Sequence, residues 1–167
     1  MQLLPIKDGG FTLVDDWIYD IVYKWSWRLS DGYPRTNINI DGKRYHICLH
    51  HFVMGKPLSG WEVDHKDHNK LNNLKNNLRW CTHQQNNFNR CAYNKAKSVY
   101  KGVKWDSTKK RWEVRLSIGP RRMRFGRYRT ETEAALAYDA AARKYHGEFA
   151  WLNFPEGDNN ALPLPTV

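Results

Sequence analysis

From Phe11 to Leu49 the apolar positions come in short runs that suit strands better than long helices. FTLVDD, YDIVYKWSWRL, YPRTNINI and KRYHICLH are dense in β-branched and aromatic residues, which fit a pleated, half-buried surface. Asp31-Gly32 and Asp41-Gly42 separate the last three runs. Asp-Gly supplies the positive φ that tight primed turns demand, so YPRTNINI and KRYHICLH are expected to form a hairpin. The stretch Trp17–Trp25 also fits a short helix. His50–Met54 reads as a short helix closed by Gly55 and Pro57. Trp61–Asp64 follows as a brief strand. The polar stretch 66–77 holds five Asn, side chains that tolerate left-handed backbone and bond neighbouring main chain, which is loop chemistry. Leu78–Cys81 is a second brief strand. Thr82 then opens a helix, with Gln85 three residues on to complete a capping box. The order is strand, loop, strand, helix: a ββα unit.

Further along, YKGVKW, RWEVRLSI and RMRFGRY predict three short strands, with turns at Asp106–Lys110 and Gly119-Pro120. Thr130 and Glu133 form a second capping box, opening a helix that runs to about Tyr145 and stops at Gly147. Six alanines between Ala134 and Ala142 would let that helix lie close on a sheet. Tyr138, Tyr145, Trp151, Leu152 and Phe154 are expected in the core. The expected fold class is α+β: an N-terminal β region with a ββα core, followed by a three-stranded antiparallel sheet packed on one helix.

Composition narrows what such a chain can do. At 41% hydrophobic and 14% aromatic, with eight Trp, the chain has enough apolar side chain to build a core. Its 27 Lys and Arg against 17 Asp and Glu leave a formal charge of +10, which favours a polyanionic partner. Thirteen of the basic residues fall between Lys95 and Arg129, where only Asp106 and Glu113 oppose them. No apolar run approaches the roughly 20 residues of a membrane span, and Met1–Gly10 lacks the basic and apolar regions of a signal peptide, so a soluble intracellular protein with no membrane partner is expected. Cys48, Cys81 and Cys91 are odd in number and form no CxxC pair, so buried thiols are expected and structural zinc is not.

The chemistry concentrates in WEVDHKDHNKLNNLKNNLRWCTHQQNN, residues 61–87. Asp64 offers a hard anionic oxygen suited to Mg²⁺. His65, with a pKa near neutrality, can take a proton from water. Asn86, one turn into the helix begun by Thr82, can present its amide oxygen as a second ligand. His68 and His83 miss this spacing and are expected to be solvated.

Residues 61–90 resemble the HNH endonuclease motif, in the variant whose final His is replaced by Asn, and ICLHHFVMGKP resembles the segment leading into it in phage-type members. The resemblance implies that His65 is the general base, Asp64 and Asn86 hold a divalent metal (Mg²⁺, with Mn²⁺ as an alternative), and Asn77 braces the loop within the catalytic set. Where many relatives have His-Arg, this chain has His50-His51.

From Tyr100 to Pro155 the chain resembles the plant ethylene-response-factor (apetala-two) DNA-binding domain, on YKGVKW, WEVRL, RFGRY and TETEAALAYDAAARKYHGEFAWLNFP. The family docks its three-stranded sheet in the major groove, which implies DNA contacts from Lys101, Gly102, Lys104, Arg115, Ser117, Arg122 and Arg124. Departures bear on base preference. The family often has Arg at the first two basic positions, Glu at 115, Arg at 117 and Trp at 124, and Lys cannot reproduce the guanidinium fork.

Together the two resemblances imply a sequence-targeted, homing-type DNA endonuclease: a nuclease domain over 1–94 with its motif core at 61–90, a linker at 95–99, a DNA-binding domain over 100–155 and a tail at 156–167. Double-stranded DNA is the expected partner, and the host cytoplasm the expected place for a phage-encoded protein. The lack of an obvious dimer helix favours a monomer. Two other classes stand beside it: a non-catalytic, sequence-specific DNA-binding regulator, and a binder of structured RNA.

Overall fold

A computed structural model describes residues 1–90 and 97–155. Cys91, the start of the expected linker and the expected tail lie outside the described residues. The chain divides into two compact units that part between Asn86 and Asn87.

The first unit opens with an antiparallel pair, β1 (Gln2–Pro5) and β2 (Phe11–Val14). α1 (Asp16–Val22) follows, where a strand is the leading expectation from sequence and a helix the alternative. Its β-branched residues suit a strand, but Ile18 and Val22 stand one helical turn apart and both are buried, so tertiary burial overrides local propensity. Three antiparallel strands come next, β3 (Arg28–Ser30), β4 (Tyr33–Ile40) and β5 (Lys43–Cys48), ordered β3-β4-β5. The expected Asp-Gly turns form, with φ of 54° at Asp31, 79° at Gly32, 50° at Asp41 and 75° at Gly42. α2 (Leu49–Met54) leads to the antiparallel pair β6 (Trp61–His65) and β7 (Leu78–Thr82), and α3 (His83–Phe88) runs on from β7. Leu4, Val14, Ile18, Val22, Trp27, Leu49, Val53, Val63 and Leu78 form the core.

The Asn-rich loop between β6 and β7 is tied down along its length. Asp67, Asn69 and Asn72 each accept a bond from a main-chain N–H two residues on. β2 holds the loop from outside: Leu13 N–H donates to the Leu71 carbonyl at 2.7 Å, Asn73 N–H to the Leu13 carbonyl at 2.9 Å, and Thr12 Oγ1 to the Leu71 carbonyl at 2.7 Å. A loop with so many satisfied main-chain groups presents fixed side chains.

The second unit contains β8 (Val103–Asp106), β9 (Arg111–Ile118) and β10 (Arg121–Tyr128), antiparallel in the order β10-β9-β8, with α4 (Glu131–His146) packed on them. Both arms of the Thr130–Glu133 capping box are present. The alanines act as expected: Ala134, Ala135, Ala137, Ala141 and Ala142 are buried with Tyr138 against Val103, Val114, Leu116 and Phe125. Tyr145 departs from expectation, because its place near the end of α4 leaves it 39% exposed with one ring contact, to Phe125 at 5.3 Å. Asp139 is buried and accepts from the main-chain N–H groups of Asn153 and Phe154, pinning the LNF segment to α4.

Gly102 sits at φ 74° beneath the Tyr138 ring, and a Cβ there would stand 2.0 Å from Cδ2 and 2.1 Å from Cε2. Gly102→Ala is expected to destabilise the second unit by about 1–3 kcal/mol or more, because overpacking and left-handed strain act together. The check is a denaturant midpoint lowered at unchanged slope. Among the described residues no helix is long and apolar enough to cross a membrane.

Candidate active site

Alternation along β6 sets the layout. Glu62 and Asp64 are two apart on one strand and so share a face, and His65 closes the strand where the Asn-rich loop begins. α3 follows β7 directly, its start fixed by the Thr82–Gln85 capping box: Thr82 N–H donates to Gln85 Oε1 at 2.8 Å and Gln85 N–H to Thr82 Oγ1 at 3.3 Å. That fixes Asn86, whose Nδ2 donates to Glu62 Oε2 at 2.5 Å. His83 Nδ1 meets the other oxygen of Glu62 at 2.8 Å. His83 is solvent-exposed, as expected, yet it is also bound, which the sequence reading does not foresee.

Asp64 is buried at 5% exposure and lies two residues along the same face from Glu62, on the order of 7 Å of strand. Its register partner on β7 is Arg79, whose Nε and Nη2 donate to Asp64 Oδ2 at 2.9 and 2.8 Å. Asp64 is thus held by Arg79 and Asn86 by Glu62. With Nδ2 turned toward Glu62, the amide of Asn86 presents Oδ1 on its other side. Carboxylates and an amide oxygen are hard donors, a set that fits Mg²⁺ or Mn²⁺ and suits softer ions poorly.

At the end of β6 His65 is 5% exposed, and its Nε2 lies 3.3 Å from Asn73 Oδ1. Asn73 is fully buried and cannot turn its amide over, because Nδ2 donates to Thr12 Oγ1 at 2.8 Å and to the Lys70 carbonyl at 3.1 Å. Its Oδ1 therefore accepts from His65, which places the ring proton on Nε2 and the lone pair on Nδ1. Burial lowers the His65 pKa below its ordinary 6.5, against the Asn73 bond and the nearby Asp67 and Asp64 charges that raise it. The His50 and Tyr33 rings stand 5.3 and 6.0 Å away.

Asn77 spans the loop. It accepts from Asp67 N–H at 3.2 Å and donates to Asp67 Oδ1 and the Asn72 carbonyl, both at 2.8 Å. Glu62 is legible in hindsight as the residue two before Asp64 on a strand. Arg79 has no such signal without the register, and Thr12, 61 residues from Asn73, has none at all.

In the second unit, burial alternates along the strands: Val103, Val114, Leu116 and Phe125 face α4, and Lys104, Arg115, Ser117, Arg122 and Arg124 lie on the outer face. Register sets Arg124 beside Arg115 and Arg122 beside Ser117. Buried Glu113 organises the guanidinium groups, bonding Arg115 Nε, Arg124 Nε at 2.8 Å and Arg127 Nε at 3.5 Å. A cavity of about 230 Å³ there is lined in part by Lys104, Trp105, Arg115 and Arg124. Two expected contact residues stand apart. Lys101 Nζ donates to the Phe88 and Arg90 carbonyls at 2.6 and 2.5 Å, and Gly102 is occupied with the Tyr138 ring.

Residues 43–88 match the family model described as HNH endonuclease. The chain is 33% identical over 143 residues to an uncharacterized HNH endonuclease of Acanthamoeba polyphaga mimivirus, covering 84% of this chain and 72% of that protein. It is 43% identical over 61 residues to the DNA endonuclease I-HmuI of a Bacillus phage, covering 34% of this chain and 35% of that protein. It is also 37% identical over 76 residues to an AP2-like ethylene-responsive transcription factor of Arabidopsis thaliana, covering 44% of this chain and 22% of that protein. The chain thus spans about a third or less of the length of these phage and plant relatives.

Proposed function

This chain belongs to the HNH endonuclease family and is a nuclease, and from that premise we propose that it is a metal-dependent, sequence-targeted endonuclease of the homing type acting on double-stranded DNA. The observation that supports the reading is a set of hard-oxygen side chains, Glu62 and Asp64 on β6 with Asn86 bonded to Glu62, beside the buried imidazole of His65 that follows Asp64 directly. An Mg²⁺- or Mn²⁺-class ion held by Asp64 and Asn86 would polarise the scissile phosphate and steady the leaving 3′ oxygen. His65 Nδ1 takes a proton from the attacking water as its oxygen bonds to phosphorus and the bond to O3′ breaks, O3′ then taking a proton from solvent. The products carry 5′-phosphate and 3′-hydroxyl ends. Asn73 holds the His65 ring in the required tautomer, Glu62 sets the rotation of the Asn86 amide, and Asn77 keeps the loop between them closed.

The nuclease domain is proposed for residues 1–94 and a DNA-binding domain for 100–155, joined at 95–99. The outer sheet face with Lys104, Arg115, Ser117, Arg122 and Arg124 would lie along the duplex, where a guanidinium fork can read guanine in the major groove. Glu113 keeps the guanidinium groups of Arg115 and Arg124 extended on that face, and partial neutralisation tempers non-specific attraction to phosphate.

Incubation of supercoiled plasmid with Mg²⁺ or Mn²⁺ tests the reading. Wild-type protein is expected to nick or linearise the plasmid, chelator to stop it, and Asn86→Ala to cut at least about tenfold more slowly, the lower range for weakened metal holding. Equal cutting by wild type and Asn86→Ala would overturn the assignment. Tight duplex binding with no cutting in either metal would favour a non-catalytic regulator.

A further inference from the structure

Cys48, His50 and His51 make a second cluster of ligating atoms, of a different chemical kind from the first. Cys48 ends β5 in extended geometry (φ −82°, ψ 143°), and His50 and His51 fall in the first turn of α2 directly after it. One ligand atom from each lies within 4.8 Å of the others. The two imidazoles meet edge to face, with centroids 4.3 Å apart. His50 is 6% exposed, and its Nδ1 is buried with no hydrogen-bond partner. Buried ring nitrogens are nearly always satisfied, so this one calls for an explanation.

We propose that Cys48, His50 and His51 bind a cation that prefers thiolate and imidazole, Zn²⁺ by its chemistry, at a site separate from the hard-oxygen side chains Glu62, Asp64 and Asn86. One sulfur and two imidazole nitrogens are a poor set for Mg²⁺ and a good one for Zn²⁺, so the two sites select different ions from the same solution. Three protein ligands leave the fourth tetrahedral position to water. With Zn–N about 2.0–2.1 Å and Zn–S about 2.3 Å, ligand atoms sit roughly 3.4–3.6 Å apart. The cluster therefore closes by about 1 Å, which half-buried Cys48 and His51 can supply by rotation while His50 stays fixed. On binding, the Cys48 thiol loses its proton to solvent and both imidazoles bind neutral. Both are neutral beforehand. Burial lowers the pKa of both, His50 to about 3 and His51 in the same direction. The site also gives position 51 a use for histidine where many relatives carry arginine. Because the His50 ring lies 5.3 Å from that of His65, a bound ion would stiffen one wall of the pocket around the proposed base.

Cobalt titration tests this on the full chain after chelation. Co²⁺ is expected to give a thiolate-to-metal charge-transfer band saturating at one equivalent, and Zn²⁺ to bleach it. The band should be lost in Cys48→Ser and Cys48→Ala, and should need at least about 10- to 100-fold more metal in His51→Ala, since even an outer-shell change costs that much. It should persist in Asn86→Ala, which impairs the other cluster, so failure here and failure of the nuclease reading are distinguishable. Circular dichroism confirms that each variant is folded. Absence of a thiolate band, or a band that survives both Cys48 substitutions and so belongs to Cys81 or Cys91, would overturn the proposal.

Discussion

His65→Ala is expected to lower the cleavage rate by about 10²- to 10⁴-fold while leaving duplex binding intact, the range for loss of a positioned general base. The expectation rests on the state of the ring as well as its presence. Asn73 fixes the proton on Nε2, and burial holds the pKa below 6.5, so at neutral pH the ring is already neutral and needs no prior deprotonation to act as a base. The rate should therefore be flat near neutrality and fall only as pH drops through the folded-state pKa of His65, below 6.5. A profile still climbing above pH 7 in step with one ionisation would point to a different base. Asn73→Ala should keep the imidazole but free its tautomer, lowering kcat with little change in KM. An effect on KM alone would mean that Asn73 contacts DNA instead of orienting the ring.

The same burial makes the first unit sensitive to acid. His50 and His65 both have folded-state pKa values below the 6.5 of an exposed imidazole, His50 at about 3. The unfolded chain therefore binds protons first as pH falls, so stability is fully present above pH 6.5 and is lost progressively from there toward about 3. A rate profile is best read alongside near-ultraviolet circular dichroism, so that loss of fold is not taken for protonation of the base.

Much of the architecture was legible because the local signals agree with one another. The Asp-Gly turns, both capping boxes, the alanine face of α4 and the strand–loop–strand–helix order are short-range features that each act within about four residues. α1 was harder to read, since Asp16–Val22 has strand-like residues and becomes helical only because Ile18 and Val22 find the same core. At the site, Asp64, His65, Asn77 and Asn86 could be named from type and spacing, but the side chains that hold three of them could not. Arg79 pairs with Asp64 through strand register, Glu62 takes Asn86 across from α3, and Thr12 reaches Asn73 from the start of the chain. Such partners are set by tertiary contact; of the three only Glu62, two residues before Asp64 on a strand, leaves a trace in the one-dimensional pattern. On the basic sheet the positions were legible, but Glu113's hold on the guanidinium groups was not, because one of two acids among thirteen bases reads simply as charge balance.

Asp64→Ala should cost both activity and stability, and the two losses can be separated. The Asp64 and Arg79 side chains are only 6% and 10% exposed, so removing the carboxylate takes a countercharge from a guanidinium in a nearly dry place. Breaking a buried pair from one side typically costs about 3–5 kcal/mol, much more than the net worth of the pair, because the survivor still pays its desolvation. Replacing both partners, as in Asp64→Ala/Arg79→Leu, removes both buried charges and should recover much of the stability, since apolar substitutes for a buried pair are often neutral or better. Cleavage should stay absent in the double variant, because the hard-oxygen ligand is gone in either background. Denaturant midpoints paired with plasmid cutting make the check. If the double variant regained both stability and cutting, Asp64 would be a structural partner of Arg79 alone, and the ion would have to be held by Glu62 and Asn86 without it.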